Sequence, residues 1–200
     1  MNALAFKVIE PGVPLFLTGA LHLFFRLAYF FYVGFSLRAA ERDRTSDQQM
    51  RYANWLRFKK RAAFILDVDG VTLAFVITAS LNTITGNGNL IYLRIIGAAF
   101  VIIGIAIKVS AYRAIGVKGY YWYNFFCADE EREYVARGIY KYLDNPMYGP
   151  GYLHAFGFPL LFLSFWGFLF AAFDWLIVWA FYFIFERPHT FYHLRQYERT

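Results

Sequence analysis

Two polar segments near the C-terminus hold the residues whose types and spacing could support chemistry. Residues 143–151 read LDNPMYGPG, and residues 186–189 read ERPH. The stretch between them, about 35 mostly apolar residues, is long enough for two membrane helices of roughly 17 residues each. A tight hairpin would return the chain to the membrane face that it left. We therefore expect both segments to meet at one face and to form one site there.

The composition predicts an all-α membrane protein. Of the 200 residues, 59% are hydrophobic and 22% are aromatic, whereas only 17% are charged, which is below the roughly 25% of an ordinary soluble domain. Apolar segments cover residues 13–37, 62–82 and 90–112, and the hairpin supplies two shorter ones, 152–169 and 172–185, with its bend near Phe173 and Asp174. We expect about five transmembrane helices, the last two forming a short hairpin, and an active site built from helices and loops.

The distribution of basic residues predicts the orientation in the membrane. Lys and Arg are concentrated in segments 38–61 and 108–141 and in the C-terminal tail, whereas residues 83–89 carry no charge. The positive-inside rule then places the N-terminus outside or in a lumen, and the C-terminus and the active site in the cytoplasm. The net charge of +6 lies beside membrane segments, which indicates attraction to anionic lipid headgroups rather than to nucleic acid. The single cysteine, Cys127, excludes a cysteine-rich metal site, and we predict no metal.

A resemblance to known enzymes is found in the C-terminal half. Residues 138–148 (GIYKYLDNPMY), the apolar hairpin and the ERPH segment resemble the phosphatidylethanolamine N-methyltransferases, and residues 121–126 (YWYNFF) resemble the aromatic stretch that precedes this motif in those enzymes. The resemblance covers roughly residues 90–197 and extends more loosely to the isoprenylcysteine carboxyl methyltransferases. It implies that S-adenosylmethionine is held between the two polar segments. It also divides the chain into two N-terminal helices with a basic cytoplasmic loop (1–85) and a methyltransferase core (86–200).

Two departures from the family pattern bear on the site. Family members often carry two adjacent glutamates at the second segment, whereas here the second is Arg187, so only Glu186 is carried over. A Gly-x-Gly pattern in the third helix of the animal enzymes is absent, because Gly97 and Gly104 lie seven positions apart. No cofactor contact from the third helix is therefore carried over.

The predicted cofactor site combines both polar segments. Glu186 would receive the cofactor's ammonium group, since a carboxylate at a membrane edge gains more from a cation than it would in bulk water. The alternative is an ion pair with Arg187 or Arg137. Asn145 precedes a proline, which opens the turn, and backbone N–H groups of the next helix could hold the cofactor's carboxylate. The full predicted set is Tyr140, Asn145, Tyr148, Gly149, Gly151, Glu186 and His189.

The remaining candidates concern the substrate. A lipid ammonium must lose a proton before it attacks, which requires either a general base or a desolvated site that lowers the ammonium pKa. We expect Asp144 or His154 to act as the base; a helix-packing histidine is the alternative for His154. Tyr121, Trp122 and Tyr123 could stabilise a cation on their ring faces or simply anchor the chain at the interface.

Arg26 is the most unusual charged residue of the predicted spans, because it lies near the middle of the first one. His22 precedes it by four residues and shares its helix face, and Asp67 and Asp69 lie within reach on the second span. An arginine at that depth needs a partner. We expect an Arg–Asp pair, with binding of the substrate phosphate as the alternative.

Together with these residues, the resemblance implies a methyltransferase that acts on the amine of phosphatidylethanolamine or its mono- and dimethyl derivatives, toward phosphatidylcholine. The expected partners are a phospholipid substrate and the membrane, without nucleic acid. One alternative is a carboxyl methyltransferase of prenylated cysteine, although the Arg-His that precedes the proline in those enzymes is replaced here by Asp144 and Asn145. The other is a non-catalytic lipid-binding membrane protein.

Overall fold

The computed structural model describes residues 13–43, 47–86, 89–127, 138–143 and 145–189. Its regular structure is helical, as the composition predicts. The main helices are α1 (Val13–Ala28), α2 (Gly34–Arg42), α3 (Gln48–Ala79), α4 (Ile91–Tyr120), α5 (Tyr123–Phe126), α6 (Leu153–Leu161) and α7 (Phe165–Phe181). Two π-helical segments, Tyr29–Val33 and Tyr182–Glu186, and two 3₁₀ turns, Gly138–Lys141 and Pro150–Tyr152, complete it.

Within the part of the chain that the structure describes, four helical segments are long and apolar enough to cross a membrane: Pro14–Arg42, Gln48–Ala79, Ile91–Phe126 and Phe165–His189. The helix α6 is a fifth, much shorter one. Large apolar side chains point outward from these stretches, as Phe16 at 74% exposure and Ile102 at 69% illustrate. Such surfaces are stable against lipid rather than water, and the chain is an integral membrane protein.

The last two helices form an asymmetric hairpin. The bend lies at residues 162–164, where Leu163 adopts a left-handed conformation with φ 52° and the Ser164 side chain accepts a hydrogen bond from the Gly167 N–H at the start of α7. The predicted bend near Phe173 and Asp174 is therefore wrong. A serine N-cap fixes the start of α7 at Phe165, earlier than the predicted start at residue 172.

Close packing against α4 holds the short helix α6 in place. A Cβ atom on Gly157 would lie 2.6 Å from the carbonyl oxygen of Gly97, and one on Gly97 would lie 2.5 Å from the backbone nitrogen of Leu161. Gly104 likewise faces the backbone of His154. Glycines let the two backbones approach as small residues do in other membrane helix pairs. The position of α6 in turn fixes the polar turn that precedes it.

A mostly aromatic core joins the N-terminal helices to the C-terminal half. Tyr29 packs on Phe181 with ring centroids 5.0 Å apart, and Phe58 packs on Trp122 at 6.2 Å. The core thus contains residues from both sides of the predicted boundary at residue 85, which itself stays a prediction.

Candidate active site

The carboxylate of Glu186 is the meeting point of three separate segments. Its Oε1 accepts a hydrogen bond from the indole Nε1 of Trp122 at 2.5 Å and another from the phenol of Tyr148, also at 2.5 Å. Tyr148 belongs to the first polar segment and Glu186 to the second. The prediction that the hairpin brings the two segments together is confirmed.

Unusual backbone geometry presents two of these three side chains. Trp122 follows the end of α4 in the left-handed region, with φ 50°, a conformation that costs a non-glycine residue roughly 1–2 kcal/mol. Glu186 is the last residue of the π-helical segment Tyr182–Glu186, and π-helical turns occur frequently at functional sites. The left-handed backbone at Trp122 and the π-helical turn at Glu186 are both held by the surrounding structure. Together they bring the two side chains into contact.

The third side chain, Tyr148, is held by the polar turn. The Asn145 side chain accepts a hydrogen bond from the Tyr148 N–H at 3.4 Å, and the Asn145 carbonyl accepts one from the Gly149 N–H at 3.0 Å. Burial raises the pKa of the Tyr148 phenol well above 10, and the neighbouring carboxylate of Glu186 raises it further. The phenol is therefore a hydrogen-bond donor throughout the neutral range.

The geometry of the turn also explains why residue 151 is a glycine. A Cβ on Gly151 would lie 2.5 Å from the carbonyl oxygen of Pro146, which accepts the Gly151 N–H at 2.7 Å. Pro150 begins the 3₁₀ turn that leads into α6, where a missing N–H costs nothing. Tyr140 lies in the separate 3₁₀ turn Gly138–Lys141. The cofactor contacts assigned to this segment stay predictions.

His189 lies one helical turn beyond Glu186 and is turned toward other groups. Its ring stacks on Phe125 with centroids 3.7 Å apart, and its Nδ1 lies 3.0 Å from the carboxylate of Glu41 at the end of α2. The predicted contact to the cofactor stays a prediction. The sequence pattern gave no sign of the partner Glu41.

The three neighbouring aromatic candidates occupy different environments. The indole of Trp122 donates a hydrogen bond to Glu186. Tyr123 is 2% exposed and packs edge-on against Trp55 at 4.9 Å, while the Tyr121 carbonyl accepts the indole N–H of Trp55 at 3.0 Å. The structure therefore joins Trp122 to the site through a hydrogen bond, a contact that the sequence did not predict. Substrate binding by the three rings stays a prediction.

The two candidate bases are Asp144 and His154. Asp144 lies outside the described residues. The Nδ1 of His154 lies 2.7 Å from the carbonyl oxygen of Gly151, and because a carbonyl can only accept, Nδ1 carries the proton. The lone pair then lies on Nε2. His154 has the tautomer that a proton acceptor needs, and its catalytic role stays a prediction.

A second polar cluster is buried among the transmembrane helices. The Arg26 guanidinium lies 2.6 Å from the carboxylate of Asp69 and 2.7 Å from that of Asp174, and the Nε2 of His22 lies 3.1 Å from Asp174. The predicted Arg–Asp pair is confirmed with Asp69, whereas Asp67 is exposed. A role for Arg26 in binding substrate stays a prediction.

The sequence analysis missed Asp174 as the second partner. A carboxylate within an apolar run was a usable signal, because such residues nearly always pair. On α7 and its continuation, Asp174 precedes Glu186 by twelve residues, or about 18 Å of helix. The cluster also reaches toward the first polar segment, because the Arg26 guanidinium donates a hydrogen bond to the phenol of Tyr152 at 3.4 Å.

A membrane helix bundle whose hairpin brings two polar segments onto one half-buried carboxylate defines an integral membrane protein with a composite site. Residues 92–197, just over half of the chain, match the phospholipid methyltransferase family. The chain belongs to this family.

Curated relatives point to the same class. The chain is 24% identical, over 94% of its length, to a phosphatidylethanolamine N-methyltransferase of Candida dubliniensis and 28% identical, over 77%, to one of Scheffersomyces stipitis. It is 31% identical, over 54%, to phosphatidylethanolamine N-methyltransferase 1 of Vanderwaltozyma polyspora. These relatives are much longer, since the aligned regions cover 26%, 19% and 12% of them respectively. No solved structure matches the chain.

Proposed function

We propose that this chain transfers a methyl group from S-adenosylmethionine to the amine of phosphatidylethanolamine, or of its mono- and dimethyl derivatives, at the cytoplasmic leaflet. The observation that carries the proposal is the carboxylate of Glu186, held by Trp122 and Tyr148 where the two polar segments meet. Membership of the phospholipid methyltransferase family and the names of the curated relatives support the same reaction.

The donor set around Glu186 suits the charged end of this cofactor. An ionised carboxylate offers about four lone-pair positions, so it can accept an ammonium group beside the hydrogen bonds from Trp122 and Tyr148. When bound, S-adenosylmethionine would supply an electrophilic methyl carbon on its sulfonium; the amine nitrogen would bond to that carbon as the carbon–sulfur bond breaks, and S-adenosylhomocysteine would be the leaving group.

The protein's own contribution is to position the reactants and to accept a proton. Trp122 and Tyr148 fix the orientation of Glu186, and their aromatic rings limit access of water to it, which strengthens its attraction for a cation. The lipid amine becomes a nucleophile only after it loses a proton. We assign that proton to the Nε2 of His154, whose Nδ1 is occupied by the Gly151 carbonyl. Asp144 is the other candidate.

The test is a product analysis with defined substrates. Purified protein is incubated with methyl-labelled S-adenosylmethionine and, separately, with phosphatidylethanolamine vesicles and with a prenylated cysteine, and the products are resolved by mass spectrometry. We expect labelled mono-, di- or trimethylated lipid. A methylated prenylcysteine ester would reassign the reaction, and the absence of both products would support a non-catalytic lipid-binding protein.

A matched pair of variants links the product to the site. Glu186→Gln should abolish most of the lipid methylation because it removes the negative charge that holds the cofactor. Asp67→Asn makes the same chemical change at an exposed position on α3 and should leave the rate unchanged. Equal rates for the two variants would contradict the role of Glu186.

A further inference from the structure

A surface groove of about 610 Å³ lies between the π-helical segment of the first span and the N-terminal half of α3. Its volume falls within the range of small-molecule binding sites. It is separate from the residues around Glu186 and has no role in the proposed reaction. The groove is lined by Tyr32, Arg57, Lys60, Arg61, Phe64 and Ile65.

The α3 residues of the groove form one continuous face. Positions 57, 60, 61, 64 and 65 follow the spacing i, i+3, i+4, i+7, i+8, which places side chains on one side of a helix. The first three positions are cationic and the last two are apolar. The groove is therefore basic toward the N-terminus of α3 and apolar further along the helix.

The change from basic to apolar coincides with a boundary in α3 itself. The sequence around it reads RFKKR at 57–61 and AAFIL at 62–66. A helix with this pattern crosses from the headgroup layer into the hydrocarbon between the two segments. Phe64 is 63% exposed and faces lipid. The groove thus spans the depth at which a phospholipid places its phosphate above its acyl chains.

The charge of the groove is unbalanced. Arg57, Lys60 and Arg61 are all exposed, and none of them forms an ion pair within the ranges that the structure describes. Among the described residues, none of those that line the groove is a carboxylate. Three uncompensated cations at headgroup depth attract a phosphate and repel an ammonium group.

We propose that this groove binds a phospholipid with a net negative headgroup, its phosphate against Arg57, Lys60 and Arg61 and its acyl chain along Phe64 and Ile65. The charge distinguishes this ligand from the substrate of the proposed reaction. Phosphatidylethanolamine and its methylated products carry a cationic amine that the three basic residues disfavour. The groove is accordingly distinct from the substrate site of the proposed reaction, and it selects for the opposite headgroup charge.

Lipid binding to the full, purified chain tests the proposal. The protein is stripped of lipid in detergent and titrated with phosphatidylglycerol or with phosphatidylcholine, and native mass spectrometry measures the bound fraction. We expect preferential binding of phosphatidylglycerol. Each basic residue near an anionic lipid surface contributes on the order of fivefold in affinity, so Arg57→Gln/Arg61→Gln should weaken that binding roughly thirtyfold.

Three comparisons make the result specific to the groove. Arg42→Gln/Arg113→Gln removes the same charge from two other exposed arginines and should leave the affinity unchanged, while Arg57→Lys/Arg61→Lys should restore it. Glycerol phosphate, which lacks acyl chains, should not displace the lipid. Equal losses in both glutamine double variants, equal binding of phosphatidylcholine, or full displacement by glycerol phosphate would each overturn the proposal. Lipid methylation is not needed for any of these readings.

Discussion

Replacement of Asp69 by asparagine should destabilise the fold far more than the same change at Asp67, two residues earlier on α3. Asp69 is 5% exposed and Arg26, its partner, is also 5% exposed, with 2.6 Å between the guanidinium and the carboxylate. Loss of one partner from a buried pair costs about 3–5 kcal/mol. Because Asp174 stays 2.7 Å from Arg26, we expect the lower end, about 3 kcal/mol.

The exposed Asp67 supplies the matched control. Its side chain contacts neither Arg26 nor His22 in the cluster, so Asp67→Asn should change the free energy of unfolding by less than about 0.5 kcal/mol. Both variants have the same size and the same change in charge. Equilibrium unfolding in mixed micelles, followed by near-ultraviolet circular dichroism, measures the difference directly.

A double-mutant cycle separates the ion pair from general effects of the substitution. If the pair stabilises the bundle, Arg26→Gln and Asp69→Asn should be non-additive by about 1–3 kcal/mol, whereas Arg26→Gln and Asp67→Asn should add. Equal destabilisation by the two Asp variants, or additivity in the first cycle, would refute the reasoning about the buried cluster.

Three further predictions concern the site and its support. Tyr148→Phe removes one hydrogen bond to a charged group and should weaken binding of S-adenosylmethionine about tenfold without loss of fold; equilibrium dialysis measures this, and an unchanged affinity would separate Tyr148 from the site. Gly157→Ala should lower the free energy of unfolding by about 1–3 kcal/mol because its Cβ would overlap α4, whereas Gly70→Ala, in open space, should not; equal effects would argue against close packing of α6. His154→Gln should lower the rate of methyl transfer at saturating substrates by about 100-fold or more with cofactor affinity retained, and an unchanged rate would leave proton removal to another group.

Composition and the lengths of the apolar segments were enough to predict the membrane helices. Long apolar stretches required membrane helices, and the structure has four of spanning length and one short. The position of the hairpin bend was not predictable from hydrophobicity. It depends on the left-handed conformation of Leu163 and on the Ser164 cap, whereas Asp174, a polar residue in an apolar run, looked like the bend and is in fact a buried ion-pair partner.

The site was predictable in part. A hairpin between the two polar segments required residues near Tyr148 and Glu186 to lie close together, and their hydrogen bond agrees with that prediction. The bond from Trp122 does not, because the aromatic run 121–126 gives no sign that one residue adopts a positive φ. The sequence also could not show whether Asp67 or Asp69 pairs with Arg26. Two residues on a helix differ by about 200° in direction, and packing decides which one faces inward.

Binding of S-adenosylmethionine to the Glu186→Gln variant tests the central claim most directly. Equilibrium dialysis with labelled cofactor, in detergent and without lipid, isolates binding from catalysis. Loss of a charge-assisted contact of about 1.5–3 kcal/mol predicts an affinity at least tenfold below that of the parent chain, with Asp67→Asn equal to the parent. A Glu186→Gln variant that folds and binds the cofactor as tightly as the parent would contradict the assignment of this carboxylate.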